Sequence, residues 1–225
     1  MDNIERLLTL MTGDEKHDPA SYSTLDVIRV LYERVLDVSP ETVDDPRRDR
    51  FLLSKGHGPS AYYAVLCDRG FFPESWLRGW GSFDSALGYH PDRNLVPGVE
   101  ISSGSLGHGL PIAVGIALGL RAQGIDSRVV VLVGDAELDE GSNHEALELA
   151  PALGLDALTV AVIDNRSTSY AVPGRIAERF AVERWHVATV DGRDRKALEE
   201  ALTARSMGVP SVVVATVLDP EAVAA

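Results

Sequence analysis

Apolar positions follow helical spacing in the first half of the chain and strand-like runs in the second. Residues 4–11 predict a short helix. Within 24–38, apolar residues fall at 25, 28, 31, 32, 35 and 36, the spacing of one helix face, with Ser23 or Thr24 as cap. Pro59 predicts the start of a helix running to 69 and closed by Gly70, and Pro73 that of a further short one. Residues 84–103, rich in Gly, Pro, Asp and Asn, read as loop. The Gly/Ala-rich apolar stretch 107–122 predicts a helix of the kind that packs closely against a neighbour. The pattern then changes. Residues 128–133 and 158–163 are short runs dominated by β-branched and apolar residues, the mark of strands buried on both faces. Helices over 142–153, 175–183 and 195–205 and strands over 186–190 and 211–217 complete an alternation. Such alternation specifies an α/β fold, a mostly parallel sheet with helices on both faces. No linker, repeat or low-complexity tract interrupts the 225 residues, so a single domain over 1–225 is expected.

Composition changes this picture little. The formal charge of −13 disfavours nucleic acid and anionic membranes as partners. Cys67 is the one cysteine, so no intrachain disulfide forms, which fits a reducing cytoplasm. It follows Tyr62, Tyr63, Val65 and Leu66 on an expected helix and reads as core filler. The first residues have neither a basic segment nor a long apolar run, and no stretch of 18 apolar residues occurs. A cytoplasmic protein without a membrane span is expected.

The chemistry concentrates after two of the expected strands. Gly134-Asp135-Ala136-Glu137 follows the first buried run and Asp164-Asn165 the second. In open α/β sheets ligands bind at the carboxyl ends of strands. Asp135 and Asn165 would present a carboxylate and an amide oxygen from neighbouring strand ends, a donor pair that suits a hard divalent cation such as Mg²⁺. The helix after Glu140-Gly141 would aim its N-terminus at the same place, which favours a phosphate. The alternative is that Gly134-Asp135 only turns the chain and caps a helix.

Asn165 lies thirty residues after Asp135. This Gly-Asp…Asn arrangement resembles the thiamine diphosphate fingerprint, and three more segments make the resemblance one to transketolases: Ser54-Lys55-Gly56-His57-Gly58, Gly88-Tyr89-His90-Pro91 and Ser103-Gly104-Ser105-Leu106-Gly107-His108-Gly109-Leu110. The match runs from about 15 to 217 and is closest to the small, split-gene transketolase subunits.

The resemblance implies a diphosphate-binding domain whose pyrimidine domain is on another chain, in an assembly of two copies of each. It implies that Asp135, Asn165 and the Ser167 carbonyl ligate Mg²⁺. It implies cofactor contacts from His57, Gly104, Ser105, Leu106, Gly134, Asp135, Ala136 and Glu137. His17 and His90 would line the substrate channel, so His17, His57 and His90 are the histidines expected in catalysis. His108 would act through its backbone only. Glu140 would link cofactor sites across the dimer, and His144-Glu145 would pack. The implied chemistry moves a two-carbon ketol unit from a ketose-like donor to an aldehyde-like acceptor.

Several positions depart from the family. Ala136 stands where Gly is usual, which is tolerable at negative φ. Pro19 and Ala20 replace small glycine positions after His17, and 166–174 is unusual. A later His-Gly segment does not occur in the sequence. These departures point to a substrate other than the sugar phosphates of central metabolism. Two other readings remain: the α subunit of a 2-oxo acid dehydrogenase, and a catalytically silent assembly or regulatory subunit. A mononucleotide binder is disfavoured by the lack of a phosphate loop or Gly-x-Gly-x-x-Gly motif.

Overall fold

A computed structural model describes residues 1–12, 18–168 and 172–217. His17 lies outside these residues.

Five strands, all paired in parallel, form one sheet: β1 (Arg50–Leu53), β2 (Val129–Gly134), β3 (Leu158–Asp164), β4 (His186–Asp191) and β5 (Ser211–Thr216), in the order β1-β2-β3-β5-β4. The helices are α1 (Asn3–Leu8), α2 (Asp18–Val30), α3 (Pro59–Asp68), α4 (Gly109–Ala122), α5 (Gly141–Ala152), α6 (Arg175–Val182) and α7 (Arg195–Thr203).

The period-two alternation of strand side chains divides the core into two layers. Phe51, Leu53, Val130, Leu132, Ala161, Ile163 and Val213 face α1, α2, α3 and α7. Leu52, Val131, Val133, Val160, Val162 and Val212 face α4, α5 and α6. Both layers are apolar because β2 and β3 are covered on both sides, which is why their sequences are almost wholly apolar.

The topology follows from crossover handedness. From β1 through β2 and β3 to β4 the chain advances across the sheet, and α4, α5 and α6 all lie on one face. From β4 to β5 it steps back, and α7 lies on the other. Right-handed crossovers require this change of face when the direction reverses. All five strands therefore point their carboxyl ends the same way, and the loops after β1, β2 and β3 gather at one edge.

Two expectations are corrected. The helix expected over 24–38 begins at Asp18, passes into a π-helical turn at Leu31–Val35 and ends there. In α4, Leu110, Ala113, Val114, Ala117 and Leu120 are buried, but Gly115 and Gly119 have open space where a Cβ would stand. Gly109, the alanines and the larger residues make the close contacts within the chain, and Gly115 and Gly119 do not. These two glycines share the outward face with Ile112 and Leu118, each 39% exposed.

Candidate functional site

Gly134 ends β2 and Asp135 begins a 3-10 turn (Ala136–Asp139) at the sheet edge. The Asp135 N–H still bonds to the Ile163 carbonyl at 3.1 Å, so the residue is fixed against β3. Its side chain is buried at 2% exposure. One carboxylate oxygen accepts from the Ala136 N–H at 2.9 Å and from the Ser167 hydroxyl, and the other from the Thr168 N–H at 3.2 Å. The segment after β3 therefore folds back over Asp135. Asn165 lies within that segment, and its buried Oδ1 has no hydrogen-bond partner. A buried amide oxygen without a donor is costly unless something else fills its lone pairs. Beside it, Asp164 has its carboxyl pushed up by burial and, to a lesser degree, by Asp135.

The structure thus brings Asp135, Asn165 and Ser167 together. The Ser167 hydroxyl is the group at Asp135. Among described non-glycine residues only Arg166 and Arg184 have positive φ, so Ala136 keeps ordinary backbone geometry and its N–H still points at the Asp135 carboxylate. A cavity of about 130 Å³ opens at this edge, lined by Asp135, Asp164, Arg166, Arg175, Arg179 and Thr216 among others. Arg179 is held by the Leu138 carbonyl at 2.9 Å and by Asp139 at 3.3 Å, and it also approaches the exposed His144 ring. His144 therefore meets an arginine rather than packing into the core.

Three loops from separate parts of the sequence meet beside this edge. Leu106 rests on Gly56, where an added Cβ would stand 3.2 Å from Leu106 Cδ2. The His90 ring lies on Gly104, which has φ 127°; a Cβ there would come within 2.7 Å of His90 Cγ. Only glycine meets both demands. The Ser103 N–H donates to the Pro91 carbonyl at 3.2 Å, tying the same two loops. His57, His90, Ser105 and Leu106 are all exposed. His108 is also exposed, and its Nδ1 lies 3.0 Å from the Leu106 carbonyl. Glu140 is exposed at the start of α5, and its side chain makes no capping bond.

Under these loops lies a buried polar group that sequence reasoning missed as a unit. Glu137, 2% exposed, accepts from the Ser54 hydroxyl, from the Gly107 N–H at 3.0 Å and from the Gly134 N–H at 3.3 Å. Burial nonetheless raises its pKa. Lys55, 8% exposed, donates from Nζ to the His57 carbonyl at 2.6 Å. Burial pushes Lys55 down to about 8, against the opposing pull of Asp135 and Glu137. The available signal was two polar residues, Ser54 and Lys55, directly continuing a strand that is buried.

Lys55 gives a pH test. Its folded pKa of about 8 lies below the ordinary 10.5. The unfolded chain binds the extra proton between those values, so this group makes stability rise with pH across the window. The stability difference between wild type and Lys55→Met should shift in favour of wild type from pH 8 to 10.5. Denaturant unfolding at both ends of the range measures it; parallel pH profiles for the two proteins would remove the buried charge from the account.

A parallel sheet with loops gathered at its carboxyl edge, and an aspartate and an asparagine directly after adjacent strands, is an α/β fold with a ligand site at the strand ends. The chain belongs to the transketolase family: the model described as "Transketolase, thiamine diphosphate binding domain" matches residues 6–220. A protein of Rhodococcoides fascians named "Ferredoxin fas2" is 50% identical over 217 residues, covering 96% of this chain and 71% of that protein. An apulose-4-phosphate transketolase subunit of Actinobacillus succinogenes is 43% identical over 144 residues, covering 64% of this chain and 52% of that protein. The solved transketolase from Leishmania mexicana superposes with a TM-score of 0.76 at 27% identity, over 96% of this chain and 37% of that one. The chain thus spans about half the length of the apulose-4-phosphate relative and little over a third of the solved enzyme. Transketolases are transferases. A single cysteine cannot supply the four thiolates of a ferredoxin cluster, so these 225 residues do not carry the chemistry in the fas2 name. Cys67 is half-buried with its thiol pushed up by burial, as expected of filler rather than a nucleophile. No helix among the described residues is long and apolar enough to cross a membrane.

Proposed function

We propose that this chain is the diphosphate-binding subunit of a transketolase-like enzyme that uses thiamine diphosphate and Mg²⁺, moves a two-carbon ketol unit, and works with a pyrimidine-domain partner. The observation that carries the reading is the buried Asn165 Oδ1 without a donor, beside the Asp135 carboxylate at the next strand end. That pair fits a cation with oxygen ligands and few protein contacts. Asp135 and Asn165, with the Ser167 carbonyl, hold the metal; Gly134, Ala136 and Glu137 shape the turn below it. When bound, the cofactor supplies the nucleophilic carbon of ketol transfer, and the protein orients it. Gly104, Ser105 and Leu106 form the wall along its ring, His57 contacts its diphosphate, and His17 and His90 face the substrate. The cytoplasm and a two-plus-two assembly belong to the same reading.

Loss of the segment pattern after Asn165, with Arg166 and Arg175 on the cavity wall, supports a donor and acceptor outside central metabolism. The apulose-4-phosphate relative is named for such a sugar. The test is two-carbon transfer by the assembly containing this chain. Activity should require thiamine diphosphate and stop on metal chelation. With xylulose 5-phosphate and ribose 5-phosphate, catalytic efficiency should fall below about 10⁴ M⁻¹s⁻¹. Chelator-resistant transfer would defeat the metal assignment, and ordinary efficiency with that pair the substrate reading.

A further inference from the structure

We propose that Glu137 is a positioning residue: its buried carboxylate locks the 54–58 and 103–109 loops to the end of β2, so that the cofactor wall forms before any cofactor arrives. This rests on the functional reading above, but goes beyond it by moving Glu137 from the cofactor contact that the family resemblance implies to the support of groups that make contact.

The geometry gives both oxygens of the carboxylate donors from the protein. Oε1 takes the Ser54 hydroxyl and the Gly107 N–H at 3.0 Å, and Oε2 the Gly134 N–H at 3.3 Å. Ser54 passes the connection on, because its oxygen accepts from the Gly109 N–H at 3.0 Å. That contact is close-packed: a Cβ at Gly109 would stand 2.2 Å from Ser54 Cβ. The backbone of Glu137 is fixed in turn, with Asn143 Nδ2 donating to its carbonyl at 2.7 Å. From the other side the Ser142 hydroxyl donates to the Gly107 carbonyl at 2.6 Å. Both polar groups of the Gly107 backbone are thereby tied down, immediately after exposed Ser105 and Leu106. A side chain 2% exposed with its acceptors engaged has no oxygen facing solvent for a ligand. Buried hydrogen bonds to a charged acceptor are among the stronger ones, so one carboxylate can set the order of both loops.

The test is amide hydrogen exchange on the cofactor-free protein, in the assembly form that is purified, for wild type, Glu137→Ala and Ser54→Ala. Peptides covering 103–110 and 50–58 should exchange at least about ten-fold faster in both variants, while β3 and β5 stay protected. Thiamine diphosphate affinity should fall with them. The double variant should be no weaker than the worse single, as for two members of one network. If Glu137→Ala loses protection throughout, Ser54→Ala, which removes one hydroxyl and leaves the carboxylate in place, gives the reading. Unchanged exchange at 103–110 in Ser54→Ala, or in a folded Glu137→Ala that nevertheless loses affinity, would overturn the proposal and return Glu137 to direct contact. Failure of wild type itself to bind the cofactor would instead fault the functional reading.

Discussion

Replacing Asp135 by Ala should lower Mg²⁺-dependent affinity for thiamine diphosphate by about 100-fold or more, since even supporting groups around a metal cost about 10–100-fold. The expectation follows from what the substitution removes. Asp135 is the only charged ligand in the proposed donor set. Its carboxylate also accepts from the Ala136 N–H, the Ser167 hydroxyl and the Thr168 N–H, so it shapes the segment that carries Asn165. Truncation therefore deletes a ligand and releases the loop that holds the second one. Leaving buried donors unpaired adds about 1–3 kcal/mol for each, so thermal stability should fall as well. Asp135→Asn separates the two effects. It keeps one acceptor oxygen while removing the charge, and should bind the metal poorly at a stability between those of wild type and Asp135→Ala, because its amide nitrogen faces a donor that the carboxylate accepted from. Calorimetric titration of cofactor with Mg²⁺ into the three proteins measures both. Unchanged affinity in Asp135→Ala would place the metal elsewhere.

The second large effect concerns assembly. The chain alone should give no measurable two-carbon transfer, and a pyrimidine-domain chain should restore it. One half-site is present here: the described residues form one sheet, with the loops of a diphosphate-binding domain at its edge. The relative from Actinobacillus succinogenes is named as one subunit of its enzyme. Two apolar surfaces are open for the proposed partner. One is the outward face of α4, with Ile112, Leu118 and two uncovered glycines; the other is the 83–95 region, with Phe83, Tyr89 and Leu95 open to solvent. Turnover rates of the isolated chain and of the co-purified pair decide it. Robust turnover by the isolated chain, shown free of other subunits, would refute the split-site model.

The sequence made the sheet legible where burial was two-sided. The runs at 128–133 and 158–163 could be read because strands covered on both faces are almost wholly apolar, broken here only by Arg128 at the edge and Thr159. β1 was not read, since Arg50-Phe-Leu-Leu53 is too short for any periodicity to develop. The early start of α2 escaped because the pattern rests on apolar spacing, and 18–24 is mostly polar or small. Among the candidate site residues, Asp135 and Asn165 are proposed from their position after strands and Gly104 and His90 from matching segments; the structure sets the first pair after neighbouring strands and the second pair in contact. The Glu137 network was not legible, because it depends on backbone amides and a hydroxyl brought together from distant parts of the chain. Hydrogen bonds of that sort leave no spacing in the sequence. His17 lies outside the described residues, and its role stays with the proposal.

The account stands or falls on where the metal sits. Crystals of the assembly grown with thiamine diphosphate and Mn²⁺ in place of Mg²⁺ would locate the ion by its anomalous scattering. The account predicts one peak between β2 and β3, at about 2.0–2.2 Å from an oxygen of Asp135 and from Asn165 Oδ1. Bound cofactor with the ion away from both side chains, or with Asn165 Oδ1 still unpartnered, would contradict it.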